Sequence, residues 1–397
     1  MAVTLALTSV VLSSPASAAV YPPDTTLHSG LGPDRTPDIP RPGYLKPIVD
    51  PVFGTDVVRI TRLAPPPKPK RPIVRHSYSK IQPWNADQSL LLIGAFYPQR
   101  ILDGNTYEQV GLFNASSGPV WSNVDPQRVY GVSGARFGFT DLDGPDPKGF
   151  TALHRFTGYR NVSLGFGEGN LSNDDRYAAL IGVGRDGDRD LIVFDVPAAQ
   201  VVATRRFHAP LDNATMSQSG NYVIVVWGAD GKGRNKGVEA YDLGLNFVRQ
   251  VTPYSEHGDA GYTADGQEAW VSYSPGKKRT IGAYPLAGGP PITVIDAHPG
   301  TWGGHVSCRN LERPGWCYIS DDGGSARYWR GYDQVWAQQI APDGVAEVFA
   351  HEHHGFDTAY YRQPQGVPSR DGARVLWASD WDGGNKAPVF DYVASAR

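Results

Sequence analysis

The sequence predicts an all-β fold, a seven-bladed β-propeller, from three observations. The 397 residues include 46 Gly, 33 Pro and 20 Tyr, and 19% of residues are charged, which is typical of turn-rich β proteins and not of helical bundles. A short turn motif recurs at intervals of about 45 residues. Segments rich in β-forming residues stand near both ends of the chain, at 57–63 and 389–393.

The recurring motif is a turn of the type Ser/Ala-x-Asp-Gly that is followed by an apolar strand. Its turn positions are Asp87, Asp174, Ser219, Asp265 and Asp371. The middle intervals are about 45 residues, the first is about twice as long, and the last is longer still. We therefore expect a weaker repeat near Gly131 and another at Arg309, which makes seven units.

Seven four-stranded units of this length predict a ring of blades, because radial stacking leaves no long strand edge exposed. A ring needs a join, and we expect residues 57–63 to pair with residues 389–393 so that both chain ends share one blade. The alternative, a β-sandwich with an appended domain, does not explain the period.

Three segments are expected along the chain. Residues 1–18 hold an apolar run and end in Ala16-Ser17-Ala18, which predicts a secretory signal peptide. Residues 19–55 form a Pro-rich extended segment, and residues 56–397 form the propeller. The apolar run is too short to span a bilayer, and a net charge of −3 leaves no cationic excess for phosphates. We predict a secreted, extracellular monomer that binds neither membrane nor nucleic acid.

The chain has two cysteines, Cys308 and Cys317, in CRNLERPGWC. In an exported protein, a pair that closes a short hairpin loop is expected to form a disulfide, and two thiols alone cannot complete a zinc site. The alternative is a pair of reduced, buried thiols.

Polar residues stand a few positions before each turn, where the innermost strand of a blade begins. They are His76, Ser79, Lys80, Glu168, Asn170, Asp212, Asn213, His257, Asp259, His305, Gln363 and Gln365. We expect these side chains to converge at one mouth of the central channel, where convergent polar groups indicate a binding site. Substrate binding is assigned to His76, Tyr78, Lys80, Asn213, Asp259, Gln363 and Gln365. The alternative is a water-filled channel with polar walls.

His257 is the candidate general base. A histidine titrates near neutral pH, and acidic residues on both sides of it in SEHGD can orient the imidazole. His305 and Arg309 follow on the next blade, and a His and an Arg together can remove a proton and neutralise a substrate carboxylate. The structural alternatives are a His257 that holds a backbone carbonyl and an Arg309 that pairs with Glu312.

Other patterns are less specific. The run His-Glu-His-His at 351–354 follows a strand, so at most His351 and His353 share a face, and without a third ligand we predict no metal site. The turns at Asp141 and Arg185 lack the closing Glu of a calcium loop. Motifs of phosphate loops, dinucleotide folds, nucleophile elbows and zincins are absent from the sequence, and we predict no cofactor. Aromatic side chains suited to stacking on sugar rings are Trp302, Tyr328, Trp329, Tyr332, Tyr360, Tyr361 and Trp381.

The chain resembles secreted bacterial seven-bladed propellers of the oligogalacturonate-lyase and ulvan-lyase type, which are related to TolB-like and WD40-like repeats. The segments that carry the resemblance are RHSYSKIQPWNADQSLLL, HGDAGYTADGQE, GGHVSCRNLERPGWCYIS and QPQGVPSRDGARVLWASDW. The likeness spans residues 56–393 and implies the propeller fold.

The two kinds of lyase differ in chemistry. In oligogalacturonate lyases, histidines and a glutamine hold a manganese ion, and a His-Pro-His run stands on the last blade. This chain has Gln363-Pro364-Gln365 at that place, which argues against the metal. Ulvan lyases use His, Tyr and Arg side chains without a catalytic metal. Residues of this chain that are of the right types for those roles are His257, His305 and Arg309, together with His76 and Tyr78, without a residue-by-residue correspondence.

We predict a polysaccharide lyase that cleaves a uronic-acid polymer by β-elimination. In this prediction Arg309 neutralises the uronate carboxylate, His257 removes the C5 proton, and His305 or a tyrosine protonates the leaving oxygen. The alternative is a non-catalytic propeller that binds glycan or protein at the same mouth. A glycoside hydrolase would need two facing carboxylates, for which Glu168 with Asp259 or Asp212 is the available pair.

Overall fold

The computed structural model describes residues 27–31, 35–63, 72–95, 98–274, 278–299, 304–321, 332–355, 359–384 and 386–396. The strands of these residues form seven sheets, arranged as the blades of one ring. This confirms the predicted seven-bladed β-propeller. The predicted signal peptide, residues 1–18, lies outside the described residues.

Four short strands precede the first blade. They are β1 (His28–Ser29), β2 (Ile48–Val49), β3 (Asp56–Arg59) and β4 (Ile73–Val74). Blade 1 contains β5 (Leu90–Ile93), β6 (Gln99–Asp103) and β7 (Gln109–Phe113). Blade 2 contains β8 (Ser117–Trp121), β9 (Arg128–Val132), β10 (Arg136–Asp141) and β11 (Thr151–Arg155). Blade 3 contains β12 (Tyr159–Leu164), β13 (Tyr177–Gly184), β14 (Arg189–Asp195) and β15 (Gln200–Phe207).

The remaining blades continue in chain order. Blade 4 contains β16 (Leu211–Met216), β17 (Val223–Trp227), β18 (Val238–Tyr241) and β19 (Phe247–Thr252). Blade 5 contains β20 (Gly258–Tyr262), β21 (Glu268–Tyr273), β22 (Lys278–Pro285) and β23 (Ile292–Pro299). Blade 6 contains β24 (Gly304–Ser307), β25 (Trp316–Asp321), β26 (Gln334–Gln339) and β27 (Ala346–His351). Blade 7 contains β28 (Val367–Pro368), β29 (Arg374–Ser379) and β30 (Val389–Ser395).

Burial changes across each blade from the ring axis outwards. All five residues of β17, with the sequence VIVVW, are buried, because neighbouring blades cover both faces of this strand and a strand covered on both sides is apolar throughout. The outermost strand β15 is mostly exposed. The core therefore lies between blades. Helical structure in the described residues is limited to the 3-10 turns Gly165–Gly167 and Tyr360–Arg362, and no helix there is long and apolar enough to cross a membrane.

The turn between the first and second strands is built in the same way in four blades. A Ser or Thr hydroxyl at its start accepts a backbone N–H at the beginning of the next strand. The pairs are Ser172 with Tyr177, Ser217 with Tyr222, Thr263 with Gln267 and Ser369 with Arg374. The fourth turn residue has a left-handed backbone, with φ of 77° at Gly220, 85° at Gly266 and 75° at Gly372. Glycine adopts this conformation without steric cost, which explains the Asp-Gly signature.

In blade 2 the equivalent turn begins at Ser122, whose hydroxyl accepts the N–H groups of Val124 and Asp125 at 3.1 and 2.8 Å. The predicted repeat position near Gly131 is therefore wrong, since Gly131 lies inside β9. The turn was not recognised because it reads Ser-Asn-Val-Asp and lacks the Asp-Gly pair. In blade 6, Arg309 lies in the turn between β24 and β25, as predicted.

The ring closes where the two ends of the propeller meet. Strand β3 pairs with β30 in antiparallel register, with Val57 opposite Ala394 and Val58 opposite Val393, and β4 adds to β30 in parallel. This confirms the predicted pairing of N- and C-terminal strands. The closed ring leaves blade 7 without a break in its hydrogen-bonded ladder.

Part of the segment 19–55 also joins the ring. Strand β1 pairs with β27 on the outer edge of blade 6, and β2 pairs with β3 in blade 7. The buried carboxylate of Asp50 accepts the N–H groups of Val52, Phe53 and His351. These contacts attach residues near the start of the described chain to blades 6 and 7.

Cys308 and Cys317 flank the first turn of blade 6 and form a disulfide, as predicted. Gly261 on β20 packs directly against it. A Cβ atom at Gly261 would lie 2.7 Å from the Cys308 Cβ and 2.8 Å from its Sγ, which is closer than atoms can approach without displacement. The disulfide therefore requires a residue without a side chain on the neighbouring blade.

Candidate functional site

A cavity of about 250 Å³ opens at the end of the ring where the innermost strands begin. Its lining consists of Tyr78, Lys80, Glu168, Asp212, Asn213, Val226, Ser255, Glu256, His257, Trp270 and Tyr360. Five members of the predicted polar ring meet in this wall. They are Lys80, Glu168, Asp212, Asn213 and His257. We call this the Lys80 cavity.

The cation of the cavity is the buried ammonium group of Lys80. Its Nζ lies 2.6 Å from Glu168 Oε2 and 3.5 Å from Asn213 Oδ1, and 5.6 and 5.7 Å from the ring centroids of Tyr78 and Trp270. Burial raises the pKa of Glu168, but the charge and hydrogen bond of Lys80 outweigh it and the net pKa is lowered. Glu168 is therefore ionised and anchors the ammonium group.

A second carboxylate lies beside the first. The Asn213 Nδ2 donates to Glu168 Oε2 at 3.2 Å and to Asp212 Oδ2 at 3.1 Å, so one amide group holds both carboxylates. Burial and then the negative charge of Glu168 raise the pKa of Asp212. The pKa values of the two carboxyl groups are therefore shifted in opposite directions, and Glu168 is the stronger acid.

The imidazole of His257 and the phenols of Tyr78 and Tyr360 form the aromatic side of the cavity, and His305 lies outside the lining. The rings of His257 and His305 stack with centroids 4.4 Å apart, and Tyr78 contacts His305 edge-on at 5.4 Å. Tyr360 stacks on Tyr78 at 6.0 Å. His257 is exposed, whereas His305 and Tyr78 are buried. Burial and the charge of Glu168 raise the pKa of Tyr360, so its hydroxyl holds its proton more tightly than an ordinary tyrosine does.

The structure places Arg309 and Asp259 below the cavity, outside its lining. The Arg309 guanidinium donates to both carboxylate oxygens of Asp259, at 2.8 and 3.0 Å, and to the Ala260 carbonyl. Both side chains are buried. The Arg309 partner is Asp259 rather than the Glu312 of the structural alternative. Its charge is already compensated inside the protein.

Glutamine side chains bridge the ring beneath the cavity. Gln82 of blade 1 donates to the carbonyls of Arg309 and Pro368, and Gln218 of blade 4 donates to those of Ala260 and Cys308. The bonds to Pro368 and Ala260 link neighbouring blades, whereas those to Arg309 and Cys308 reach blade 6, two blades away in the ring.

No protein-family model and no curated protein sequence matches the chain. A solved structure of oligogalacturonate lyase in complex with manganese matches with a TM-score of 0.62, 16% identity, and coverage of 89% of this chain and 96% of that one. The chain resembles that lyase in fold.

Two further solved structures match less well. The Neurospora crassa Pan2 WD40 domain gives a TM-score of 0.50 at 13% identity, covering 80% of this chain and 89% of that one. Kuenenia stuttgartiensis hydrazine synthase gives 0.49 at 13% identity, covering 83% and 96%. At 16% and 13% identity, the likeness to the lyase and to the WD40 domain shows the propeller fold alone.

The matching lyase structure contains manganese, and Gln365 and His76 are the residues near the last blade that could contact such an ion. Gln365 Oε1 accepts the Arg75 guanidinium at 2.6 Å, and Gln365 Nε2 donates to the Tyr360 carbonyl. His76 is buried between Arg75 and Asp391, with Nδ1 2.8 Å from the carboxylate, and burial lowers its pKa. A divalent ion does not fit between Gln365 and His76, because the Arg75 guanidinium, a permanent cation, already contacts the Gln365 Oε1 atom that the ion would need.

The His-Glu-His-His run also lacks a metal geometry. His351 Nδ1 lies 3.0 Å from Asp50 Oδ2 and its ring stacks on Phe53, while His353 stacks on Trp381 at 4.1 Å. Among the described residues, no group of three or more His, Cys, Asp or Glu side chains is arranged to hold a metal ion. The stacked imidazoles pack the interface between blades 6 and 7.

Three lining residues were not predicted from the sequence, Val226, Ser255 and Trp270. Trp270 lies on β21, the second strand of blade 5, and is completely buried. The pattern around it is the same as around the core residue Trp227, so no sequence signal separates them. Of the predicted stacking residues, Tyr360 and Tyr361 are exposed and Trp381 is buried. Trp302, Tyr328 and Trp329 lie outside the described residues.

Proposed function

We propose that the protein is a secreted lyase that cleaves a uronic-acid-containing polysaccharide by β-elimination in the Lys80 cavity. The observation that supports it is the presence in one cavity of a buried ammonium group, one exposed imidazole and two phenols. Elimination from a uronate needs a cation at the carboxylate, a base at C5 and a proton donor at the leaving oxygen.

Lys80 takes the neutralising role in this proposal, in place of Arg309. An ammonium group has three N–H donors, of which Glu168 and Asn213 accept two. The third is available to a substrate carboxylate. The Arg309 guanidinium is committed to Asp259 and lies outside the cavity.

The proton transfers follow from the exposure of the remaining groups. A nitrogen of the exposed His257 removes the C5 proton, the electron pair forms the C4–C5 double bond, and the C4–oxygen bond breaks. Tyr360 gives its hydroxyl proton to the leaving oxygen, because it lines the cavity and a phenol is protonated at neutral pH. The proton on His257 then returns through solvent to the phenolate. Trp270 and Tyr78 form the apolar floor on which a sugar ring stacks.

The extracellular setting is part of the proposal. A disulfide between Cys308 and Cys317 suits an oxidising compartment. Mass spectrometry of the protein secreted by a bacterial host would show a mature chain that begins after Ala18. Retention of residues 1–18 on the secreted protein would contradict the signal-peptide assignment.

The test is the ultraviolet absorbance of the unsaturated product after incubation with pectin, ulvan, uronate-containing gums and glucuronan. We expect a rise on one of these polymers that is lost in Lys80→Met and retained in Lys148→Met, a matched change at an exposed lysine of blade 2. A rise that survives in Lys80→Met would overturn the role of Lys80. No rise on any polymer would leave the binding propeller as the better account.

A glycoside hydrolase is the second candidate, and one observation favours it. Glu168 and Asp212 share the Asn213 amide, and their pKa values are shifted in opposite directions, as in enzymes where one carboxyl is the acid and the other the base or nucleophile. Hydrolysis creates reducing ends without ultraviolet absorbance. That product pattern, lost in Asp212→Asn, would replace the lyase with a hydrolase.

A further inference from the structure

We infer that the Arg75 guanidinium takes the place of a divalent metal ion at the last-blade segment 361–365. Its positive charge and N–H groups hold the carbonyl and amide oxygens of that segment in position. This goes beyond the proposed elimination, because it concerns how the wall of the Lys80 cavity is assembled. It is testable without any turnover.

The Arg75 side chain is 1% exposed and its guanidinium is surrounded by acceptors from the segment. Nη1 lies 2.6 Å from the Gln363 carbonyl and 3.4 Å from that of Tyr361. Nη2 lies 2.6 Å from Gln365 Oε1 and 3.2 Å from His76 Nε2. Nε donates to the His76 carbonyl at 3.2 Å, so four oxygens converge on one planar cation, and His76 Nε2 lies between the guanidinium and the Gln365 carbonyl, 2.8 Å from the latter.

This set of acceptors is of the kind that also binds metals. Carbonyl and amide oxygens with an imidazole are ligands for divalent cations of the manganese type. A guanidinium offers five N–H donors in a fixed plane and meets the same atoms with hydrogen bonds. Two cations cannot occupy one buried cluster, since their repulsion at these distances is uncompensated by solvent. Arg75 therefore excludes the ion and supplies its charge.

The consequence reaches the cavity through Gln365 and Tyr360. Gln365 receives the Arg75 guanidinium on its oxygen and donates its Nε2 to the Tyr360 carbonyl at 3.2 Å. Tyr360 lines the cavity and stacks on Tyr78. Arg75 is accordingly a positioning residue for the Tyr360 ring, held from behind by His76, which contacts Asp391.

The experiment titrates MnCl2 into protein that has been dialysed against EDTA and follows heat of binding and melting temperature. We expect no heat and no shift in the wild type. In Arg75→Ala the acceptors lose their cation, so we expect a lower melting temperature that MnCl2 raises saturably. The matched control is Arg75→Ala combined with Gln365→Leu, in which loss of the amide oxygen must abolish the response to MnCl2.

Two outcomes would overturn the inference. One is stoichiometric Mn²⁺ binding to the wild type that Gln365→Leu removes, since the guanidinium would then not be the cation of the cluster. The other is a folded Arg75→Ala with an unchanged melting temperature and no response to MnCl2. If Arg75→Ala does not fold, the wild-type titration still decides, together with Arg75→Lys, which keeps a cation and must also ignore MnCl2. None of these readouts depends on the proposed lyase activity.

Discussion

The imidazole of His257 lies on that of His305, with ring centroids 4.4 Å apart and planes inclined by 23°. The lower ring is completely buried and is held edge-on by Tyr78, so it is a fixed platform. The upper ring is exposed to the cavity. Stacking on a rigid platform sets the plane of the exposed ring.

The first prediction concerns the exposed ring of this pair. His257→Ala is expected to lower kcat by about 100-fold or more, the usual effect of removing a general base. The melting temperature should barely change, because the ring is exposed and buries little surface. Turnover on the polymer identified by ultraviolet absorbance, together with a thermal melt, measures both quantities.

A control for this prediction is His154→Ala, which removes a histidine ring packed on Phe156 at 4.6 Å on blade 2. That change should lower the melting temperature and leave kcat unaltered. Equal losses of kcat in the two variants would show that the effect at His257 arises from unfolding and not from proton transfer.

The second prediction concerns the Lys80–Glu168 ion pair. The pKa of Glu168 is lowered from its ordinary value of 4.5, since burial is outweighed by Lys80. The pair therefore stabilises the fold fully above that value, and the stabilisation is lost as the pH falls through the lower folded pKa. Glu168→Gln should cost about 1 to 3 kcal/mol at neutral pH and progressively less in acid. A urea-denaturation difference that stays constant down to acid pH would contradict this.

The third prediction has the opposite sign. Burial and Glu168 raise the pKa of Asp212, so the folded state holds its proton more tightly than the unfolded state does. Ionisation above the folded pKa then costs stability, and this cost disappears as the pH falls below the ordinary value of 3.8. Asp212→Asn should raise the melting temperature at neutral pH and leave it unchanged in acid. Asp143→Asn, in an exposed turn of blade 2, provides the surface control.

The fourth prediction concerns Arg370, which ties blade 7 to blades 1 and 2. Its buried guanidinium donates to the carbonyls of Trp84, Asn85 and Ser122 and to the Asn123 side chain. Arg370→Ala leaves these buried oxygens without their donors and should cost about 3 kcal/mol or more in urea denaturation. Arg370→Lys keeps the positive charge but not the planar set of guanidinium N–H donors, and should recover less than half of that loss. A loss below about 1 kcal/mol for Arg370→Ala would contradict the role.

Local signals were readable from the sequence wherever the backbone itself demands a residue type. The turns at Ser217 and Ser369 carry a hydroxyl that caps the next strand and a glycine at a left-handed position, so they repeat visibly. The turn at Ser122 is capped by a hydroxyl in the same way but has no glycine, so the sequence did not predict its position. Closure of the ring was predictable because both partner strands are rich in β-branched residues.

Side-chain partners across blades were not readable in this way. Arg309 pairs with Asp259 on the neighbouring innermost strand, and Arg75 contacts Gln365 of the last blade, 290 residues further along the chain. These pairings depend on the relative positions of the blades around the ring. The spacing of residues along the chain does not reveal those positions. The sequence predicted a polar mouth. The structure shows which of its polar side chains face the cavity and which form ion pairs or hydrogen bonds with each other inside the protein.

The last prediction concerns the contact between Gly261 and the disulfide. A Cβ added at Gly261 would lie 2.7 Å from the Cys308 Cβ and 3.2 Å from the Cys317 Sγ, on two innermost strands that cannot separate without opening the ring. Gly261→Ala should therefore cost about 1 to 3 kcal/mol in non-reducing urea denaturation, as overpacking of a rigid core does. The matched control is Gly111→Ala on the outer strand β7, where the nearest atoms would be 3.6 Å away in ordinary contact.

If both glycine changes cost the same, strand propensity explains the loss and the disulfide does not. Replacing both cysteines by alanine removes the two sulfur atoms but leaves the Cys308 Cβ position, so the cost of Gly261→Ala in that background should fall without vanishing. An unchanged cost would mean that the backbone contact of the two blades, and not the disulfide, sets the requirement for glycine at this position.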